Sequence, residues 1–424
     1  MAVDAPGIAP SLRRALSFNR TISSNLRVKA LSELIVKGGR LLLVIAAARL
    51  LGPEQFGLYA FAIAFALILA DGADFGLHLM LAREVARAPE ARDLALGRAF
   101  RAKAILSLAV LTALTGAALL YPRPAEVKVI LILAGLTVMA QSWSDFWSHY
   151  FRGLQSLKEE AVVSAAQMAL GTGIGIWILL HGHGPRELFL ALFSAGVAAN
   201  LIAMSLVARR GKIAHATTDE IWDTLRAAAP IGVSFLLATI YMRVDLVLLE
   251  RLRSDAEVGS YGAAYRLFES FRFLPALFMA ALFPAFSEYA DRHRAELLAL
   301  LRKGIRWMTL LSLLIVGSLL VAAPFLLRLL YGDRYGDAAP LLRLLAPSLL
   351  FLFPNYALTH LLVALGAQRA YALIVAICVP LNIGLNLLAI GPFGAAGSAV
   401  VTCITEATLF GLSVLALRRR LRDH

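Results

Sequence analysis

Long apolar segments recur along nearly the whole chain, with short polar connections between them. A helix needs about 20 apolar residues to cross the ~30 Å hydrocarbon core of a bilayer. Twelve segments fit that requirement; they lie at 31–51, 58–80, 101–121, 127–150, 161–181, 187–208, 228–250, 259–287, 305–328, 340–366, 370–390 and 395–417. The pattern predicts an all-α integral membrane protein of about twelve transmembrane helices.

Basic residues are distributed unevenly over the polar connections. With a cytoplasmic amino terminus, the segments on the cytoplasmic side carry about three times as many Lys and Arg residues as the others, the asymmetry typical of membrane proteins. Both termini are therefore predicted to be cytoplasmic. The predicted organisation is a tail at 1–30, an amino-terminal lobe at 31–210, a linker at 211–227, a carboxyl-terminal lobe at 228–417 and a tail at 418–424.

Composition supports a membrane location. Of 424 residues, 59% are hydrophobic and 16% are charged, whereas soluble domains average about 45–50% and 25%. The formal net charge of +13 follows the loops and forms no nucleic-acid-binding motif, so nucleic acid is not an expected partner. The two cysteines, Cys378 and Cys403, lack metal-ligand spacing, and no metal or other resident cofactor is expected.

The connections between the predicted helices are too short for a separate catalytic or nucleotide-binding domain. No GxxxxGK[ST] phosphate-binding loop is present. These features argue against an enzyme and against ATP hydrolysis by this chain. A substrate would instead be moved by an ion gradient, with Na⁺ or H⁺ as the coupling ion, by the membrane potential or by its own gradient.

A short motif occurs once in each half of the chain. In LGPEQFGLYA (51–60) and DAEVGSYGAA (255–264), Gly57 and Tyr59 align with Gly259 and Tyr261 at one constant offset. Each copy follows an odd-numbered predicted helix and opens the next. Parallel repeats are a common plan of transporters, whose substrate path lies between the halves. The motif predicts two six-helix lobes, related by a parallel repeat, around a central cavity.

Several ionisable residues fall inside predicted membrane helices, where each charge costs about 2.5–3.5 kcal/mol and marks function by default. Glu33, Lys37 and Arg40 share one face of the first helix. Arg40, near the bilayer midplane, is expected to face a cavity, whereas Lys37 has a simple pairing with Glu33 as an equal alternative. Asp71 and Asp74 in the second helix are expected to pair with these cations or to belong to an ion path.

Helices 7 and 8 carry Arg243, Asp245, Arg266, Glu269 and Arg272. Two arginines flank Glu269 at three residues to either side, which leaves excess positive charge unless the cluster merely satisfies itself. Because arginine offers forked donors for phosphate, a net-positive cavity suits an anionic headgroup. The predicted headgroup contacts are Lys37, Arg40, Arg243, Arg266 and Arg272, and the predicted ion-pairing residues around them are Glu33, Asp71, Asp74 and Glu269.

A sparser polar set occurs in the last two helices. Asn382 and Asn386 lie four residues apart on helix 11, and Ser398 and Thr402 four apart on helix 12. With Asp245 as the single carboxylate, these oxygen ligands suit a small hard cation such as sodium. Interhelical hydrogen bonding by small polar residues is the alternative explanation.

Several segments resemble the polysaccharide biosynthesis and O-antigen flippase family, within the multidrug/oligosaccharidyl-lipid/polysaccharide exporter superfamily. They are GGRLLLVIAAARLLGPEQFGLYAFAIAF, DGADFGLHLMLAREVAR, FRGLQSLKEEA, MRVDLVLLE, EVGSYGAAYRLFE and GPFGAAGSAVVT. The resemblance covers nearly the whole chain after residue 30. It implies a two-lobed fold with a central cationic cavity. The implied activity is flipping of a polyprenyl-pyrophosphate-linked oligosaccharide from the cytoplasmic to the periplasmic leaflet by alternating access.

The same resemblance implies a bacterial inner-membrane location, with the polymerase and other proteins of the polysaccharide pathway as partners. The spacing of the Asn382 and Ser398 pairs is similar to the sodium site of related lipid II flippases, although Asn386 stands where a carboxylate is expected. Those relatives also carry two further helices that this sequence lacks.

Three other functions are weighed against the flippase. A cation-coupled multidrug antiporter of the same superfamily would have a cavity governed by carboxylates, contrary to the excess of cations in helices 1, 7 and 8. A membrane-embedded enzyme of the glycan pathway would be expected to carry a large periplasmic loop, and the longest, around 328–343, is small. A purely structural protein gives no reason to bury so many charges.

Overall fold

Helices form the regular structure of the described residues, which are 10–289 and 294–422 in this computed structural model. The ends of the two predicted tails, 1–9 and 423–424, lie outside them. The α-helices are α1 (Pro10–Asp74), α2 (Leu77–Arg87), α3 (Arg92–Leu120), α4 (Ala125–Gly153), α5 (Leu157–Leu180), α6 (Pro185–Ala208), α7 (Thr218–Leu252), α8 (Asp255–Ser270), α9 (Phe273–Tyr289), α10 (Arg294–Tyr331), α11 (Ala338–Leu345), α12 (Leu349–Ala364) and α13 (Gln368–Arg422).

Two very long helices each account for two membrane crossings. Nine helical stretches in the described part of the chain are long and apolar enough to span a bilayer, and two of them contain 57 and 54 residues. At 1.5 Å per residue each would be about 80 Å long, far more than one crossing needs. Each is divided at a glycine with positive φ, Gly52 at 77° and Gly394 at 59°. The broken pair α8 and α9 matches a further predicted segment, so each of the twelve predicted segments is helical over most of its length in the described chain.

The helix boundaries differ from the sequence prediction at two places. Within the segment predicted as a tail, α1 already begins at Pro10 and continues into the first crossing. The predicted linker is shortened because α7 begins at Thr218, where Thr217 and Glu220 form a reciprocal capping box. The remaining linker lies across the start of α3, since Arg101 donates a hydrogen bond of 2.7 Å to the carbonyl of Ala216.

The bundle consists of two groups of helices. Helices α1 to α6 contact mainly one another, and so do α9 to α13, whereas α7 and α8 contact both groups extensively. Between the groups, the principal contacts are those of α1 with α7 and α8, with a smaller contact of α3 with α7. The buried side chains of both groups merge into one large apolar core along these contacts. The two halves that the repeat predicts are therefore in contact through α1, α7 and α8.

The two Gly-x-Tyr motifs meet at the contact between the lobes. A Cβ atom on Gly57 would lie 1.9 Å from the carbonyl oxygen of Asp255, and one on Gly259 would lie 1.9 Å from that of Pro53. The two helices therefore touch through bare backbone, each motif filling the space left by the glycine of the other. This reciprocal contact lies on the predicted periplasmic side of the membrane.

Candidate functional site

A cavity of about 320 Å³ lies between the lobes. Helices α1, α4, α5 and α6 form one wall, and α7 and α8 contribute the other. Its cationic lining residues are Arg40 from α1, Arg243 from α7 and Arg266 from α8. Three of the five cations predicted to contact a headgroup therefore converge on one space from both lobes. The polar groups beside them are Tyr59, Gln141, Gln167 and Thr172.

One carboxylate neutralises part of this positive charge. Arg243 approaches Glu269 with both terminal nitrogens, at 2.7 and 3.3 Å, and Arg266 shares the same carboxylate at 3.1 Å. Arg40, an exposed residue, forms no ion pair within residues 10–289 and 294–422. The cavity lining contains three guanidinium groups and no carboxylate, with Glu269 and Asp145 as the nearby carboxylates that act on them. The lining is therefore net positive, an arrangement that favours an anion with several oxygen atoms.

The predicted cytoplasmic end of this route is bordered by Lys37. Its ammonium group pairs with Glu33 at 3.4 Å and lies 4.4 Å from the ring centre of Phe273 in α9. Glu33 also pairs with Lys29 at 3.0 Å. The predicted Glu33–Lys37 pair is present, and Lys37 at the same time contacts the opposite lobe.

Arg272 lies outside the central cavity. It lines a second chamber of about 210 Å³ within the carboxyl-terminal lobe, together with Tyr241, Tyr356 and Glu406. Tyr241 donates a hydrogen bond of 3.3 Å to the buried Glu406. Neither Arg272 nor Glu406 forms an ion pair within 4.0 Å in the described part of the chain. The structure therefore separates Arg272 from the arginines with which the sequence groups it.

Asp71 and Asp74 have partners other than the cations of the first crossing. Asp74 pairs at 2.9 Å with Lys103 of α3, whose side chain is fully buried. Lys103 donates a second hydrogen bond, of 2.8 Å, to Ser142 of α4. Asp71 accepts a hydrogen bond from Thr239 of α7, across the boundary between the lobes.

A pair of histidines adjoins this cluster, although neither was selected from the sequence. His78 of α2 contacts the second oxygen of Asp74, and its ring centre lies 4.3 Å from that of His149 in α4. The two histidines are far apart in the sequence, and Lys103 stands at the start of the predicted third segment, directly after several basic residues. The available signal was the position of His78 four residues after Asp74, on the same helical face.

The five residues of the predicted cation site come together in a buried network between α7, α8 and α13. Tyr261 donates a hydrogen bond of 2.5 Å to Asp245, which also accepts one from a backbone amide at 2.8 Å. Ser398 donates to the amide oxygen of Asn386 at 2.8 Å. The other links run from Asn386 to Asn382, from Asn382 to Thr405, and from Thr402 to the carbonyl of Ser398. These groups satisfy one another as interhelical hydrogen bonding requires, and ion binding there stays a prediction.

Ion pairs reinforce the glycine contact on the predicted periplasmic side. Arg123, between α3 and α4, pairs with Glu250 at 2.7 Å and also with Asp255, both in the carboxyl-terminal lobe. Partial burial of Arg123 lowers its pKa, but the adjacent Glu250 and Asp255 carboxylates raise it by more, so the pKa lies above its usual value. Tyr335 adds a hydrogen bond of 2.8 Å to the carbonyl of Ala48. These contacts join the two lobes on that side.

Comparisons with known proteins agree with this architecture. The profile of the family described as polysaccharide biosynthesis protein matches residues 23–290, and the MatE profile matches residues 230–388. A putative O-antigen transporter of Escherichia coli is 22% identical over 308 residues, which are 70% of this chain and 73% of that protein. The succinoglycan biosynthesis transport protein ExoT of Rhizobium meliloti is 24% identical over 335 residues, 78% of this chain and 66% of that protein.

Two solved structures share the fold. A multidrug resistance MATE family transporter of the MOP superfamily, in an inward-facing conformation, gives a TM-score of 0.72 at 18% identity, over 93% of this chain and 98% of that one. The lipid II flippase MurJ, in an inward closed conformation, gives 0.72 at 14% identity, over 92% and 87%. The fold is that of MOP-superfamily transporters. Because the family profile matches more than half of its length, this multi-pass membrane protein belongs to the polysaccharide biosynthesis protein family.

Proposed function

We propose that this chain is a flippase for a polyprenyl-pyrophosphate-linked oligosaccharide, which it moves from the cytoplasmic to the periplasmic leaflet by alternating access. The observation that carries the proposal is the net-positive cavity between the lobes, with Arg40 unpaired among the described residues and two further arginines around one carboxylate. Relatives with the names O-antigen transporter and succinoglycan transport protein support the same class of substrate.

The diphosphate is the part of this substrate that the cavity suits. A volume of about 320 Å³ lies near the lower end of the ~300–1,000 Å³ range of small-molecule pockets. It accommodates a diphosphate but not a whole oligosaccharide, so the lobes must separate further to admit the glycan. The prenyl chain remains in the lipid. Moving its methylene groups from lipid into a protein cavity would give no favourable hydrophobic free energy, because both surroundings are apolar.

The three arginines are already arranged to bind the headgroup before it arrives. Arg40 is exposed and unpaired among the described residues, while Glu269 holds Arg243 and Arg266 in position. Phosphate oxygens offer these guanidinium groups the forked geometry that they make with Glu269. Lys37, at the predicted cytoplasmic mouth, meets an arriving headgroup first, and Arg272 is reached only through the second chamber.

Alternating access then requires the predicted periplasmic contact to open. That contact consists of the Gly57–Gly259 backbone approach and the ion pairs of Arg123. We place the protein in a bacterial inner membrane with both termini cytoplasmic and with polymerase and other pathway proteins as partners. We assign it no covalent chemistry of its own.

A second candidate function is a cation-coupled multidrug antiporter. The match of the MatE profile to residues 230–388 favours it. The charge of the central cavity opposes it, because a cationic drug would be repelled by the three arginines that line the cavity. The two functions therefore differ in the sign of the ligand that the cavity binds.

The test replaces Arg40 by Ala, with Arg226→Ala as the matched control. Arg226 carries the same charge, but its side chain is 79% exposed and lies outside the cavity, at the start of α7. In a bacterial host that lacks its own O-antigen transporter, Arg40→Ala is expected to reach the membrane normally, reduce surface glycan and cause lipid-linked repeat units to accumulate. Normal glycan export by Arg40→Ala, at wild-type membrane levels, contradicts the proposal.

A further inference from the structure

A polar network separate from the central arginines lies in the predicted cytoplasmic half of the amino-terminal lobe. Its centre is the ion pair of Lys103 with Asp74, in which the lysine side chain is fully buried. Lys103 also lies 5.5 Å from the ring centre of Trp143. His78 extends the network from Asp74, and His149 packs against His78. Neither the headgroup contacts nor the predicted sodium site uses these residues.

The network combines carboxylates, an ammonium group and imidazoles. Three carboxylates, those of Asp71, Asp74 and Asp145, act on the ammonium of Lys103, while Arg40 also acts on Asp145 and Arg243 on Asp71. Two of the carboxylates have neutral donors: Asp71 accepts from Thr239, and Asp145 accepts from an amide at 3.1 Å. Imidazole is the side chain that changes charge near neutral pH, and buried titratable chains of this kind are typical of proton relays in membranes.

The two histidines are not equivalent. The Nδ1 of His149 donates to the carbonyl of Asp145 at 2.8 Å, and its Nε2 lies 3.3 Å from Arg152, which can only donate. These two bonds fix His149 in its neutral form. His78 instead faces a carboxylate, which stabilises a bound proton. We propose that His78 is the binding site of the proton that couples transport to a pH gradient, with His149 as a neutral positioning residue; this rests on the proposed flippase function.

Most elements around His78 carry charged groups. They are Asp71 and Asp74 of α1, Lys103 of α3, and Asp145 and Arg152 of α4. Helix α7 presents the uncharged Phe235 and Thr239, and from further away Arg40 acts on Asp145 and Arg243 on Asp71. Arg152 is itself paired with Glu160 at 2.6 Å. In the part of the chain that the structure describes, no three His, Cys, Asp or Glu side chains are arranged to hold a metal ion.

The network also reaches the opposite lobe. Asp71, which lies one turn before Asp74 on the same helical face, accepts the hydrogen bond from Thr239 of α7. Phe235 of α7 lies 6.1 Å from the His78 ring centre. Adding or removing a charge at His78 changes the field at the carboxylate that binds α7. Proton binding can thereby bias the arrangement of the two lobes.

The first measurement is the exchange of the imidazole C2 hydrogen, followed by mass spectrometry on the full-length protein in lipid nanodiscs. The rate at each histidine reports its protonation and requires no transport. We expect the exchange rate at His78 to change with pH, because its imidazole contacts a carboxylate, and the rate at His149 to stay constant. Asp74→Asn should shift the profile of His78, whereas His181→Gln, a change at an exposed histidine, should not. A His78 profile that does not change with pH overturns the proposal.

The second measurement uses proteoliposomes with a fluorescent polyprenyl-diphosphate oligosaccharide. In the wild-type protein, the translocation rate with a pH gradient should exceed the rate without one, and in His78→Gln the ratio of the two rates should fall to one. Binding of polyprenyl diphosphate should be unchanged in His78→Gln, because the cavity arginines are intact. A wild-type ratio of one, or a normal ratio in His78→Gln, overturns the coupling site. Absence of translocation by the wild type at every gradient instead overturns the flippase function on which it rests.

Discussion

The glycine contact between the lobes predicts the effect of a single methyl group. In Gly259→Ala, the new Cβ would lie 1.9 Å from the carbonyl oxygen of Pro53, whereas real Cβ atoms essentially never approach a neighbour within 3.0 Å. The obstructing atom belongs to the backbone of α1 and cannot rotate away. The helices must therefore move apart by about 1 Å or more, and we expect the predicted periplasmic contact to open.

The magnitude follows from the cost of overpacking. Inserting a methyl group into a filled contact costs about 1–3 kcal/mol, and this cost falls only on the closed arrangement. An energy of that size changes the ratio of two conformations by about 5- to 150-fold. Alanine also stabilises a helix interior by about 1 kcal/mol relative to glycine, and this gain is the same in every arrangement of the lobes. The substitution therefore shifts the conformational equilibrium without unfolding α8.

Electron paramagnetic resonance distances between two spin labels measure this shift. Suitable positions are Glu126, at the exposed start of α4, and Asp333, which is 85% exposed beyond α10. The labels are introduced as cysteines after replacement of Cys378 and Cys403. In Gly259→Ala, the distance distribution should gain a longer component.

The matched control for this experiment is Gly317→Ala. Gly317 is a helical residue of α10, and a Cβ there would have nothing within 4 Å. Its distance distribution should equal that of the parent protein. If Gly259→Ala also leaves the distribution unchanged, the backbone contact does not hold the lobes closed, and the reasoning is refuted.

Two further predictions concern buried polar groups, and thermal unfolding in detergent measures both. Lys103→Met removes the ammonium group that pairs with Asp74 at 2.9 Å; it should destabilise the protein by about 3–5 kcal/mol, and adding Asp74→Asn should recover part of the loss. Tyr261→Phe removes the 2.5 Å donor to Asp245 and should cost about 1–3 kcal/mol. An unchanged melting temperature in either single variant contradicts the corresponding contact.

Hydropathy and spacing predicted the parts of this fold that depend on local sequence. The twelve crossings follow from apolar length, and the Gly-x-Tyr motifs identified the repeat whose two copies meet at Gly57 and Gly259. The sequence also predicted that Arg40, Arg243 and Arg266 line one cavity. Charged side chains in membrane helices face the interior of the bundle or a water-filled cavity, because exposure to lipid is costly.

The parts that the sequence did not predict depend on which helix faces meet. Lys103 stands at the start of the predicted third segment, directly after several basic residues, and only its contact with Asp74 explains its burial. Arg272 follows Glu269 by three residues, but the break between α8 and α9 directs it into a different chamber. The contact of His78 with His149 joins two elements whose packing no local pattern encodes.

The central claim is that the cavity binds the diphosphate of a lipid-linked glycan and carries it across the membrane. The most direct test is translocation of a fluorescent polyprenyl-diphosphate oligosaccharide in proteoliposomes by the wild-type protein, by Arg40→Ala and by Arg40→Lys. The account predicts translocation by the wild type and its loss in Arg40→Ala. In Arg40→Lys we expect partial recovery, because lysine keeps the positive charge but lacks the forked donors of arginine. Translocation at the wild-type rate by Arg40→Ala, or none by the wild type, would contradict it.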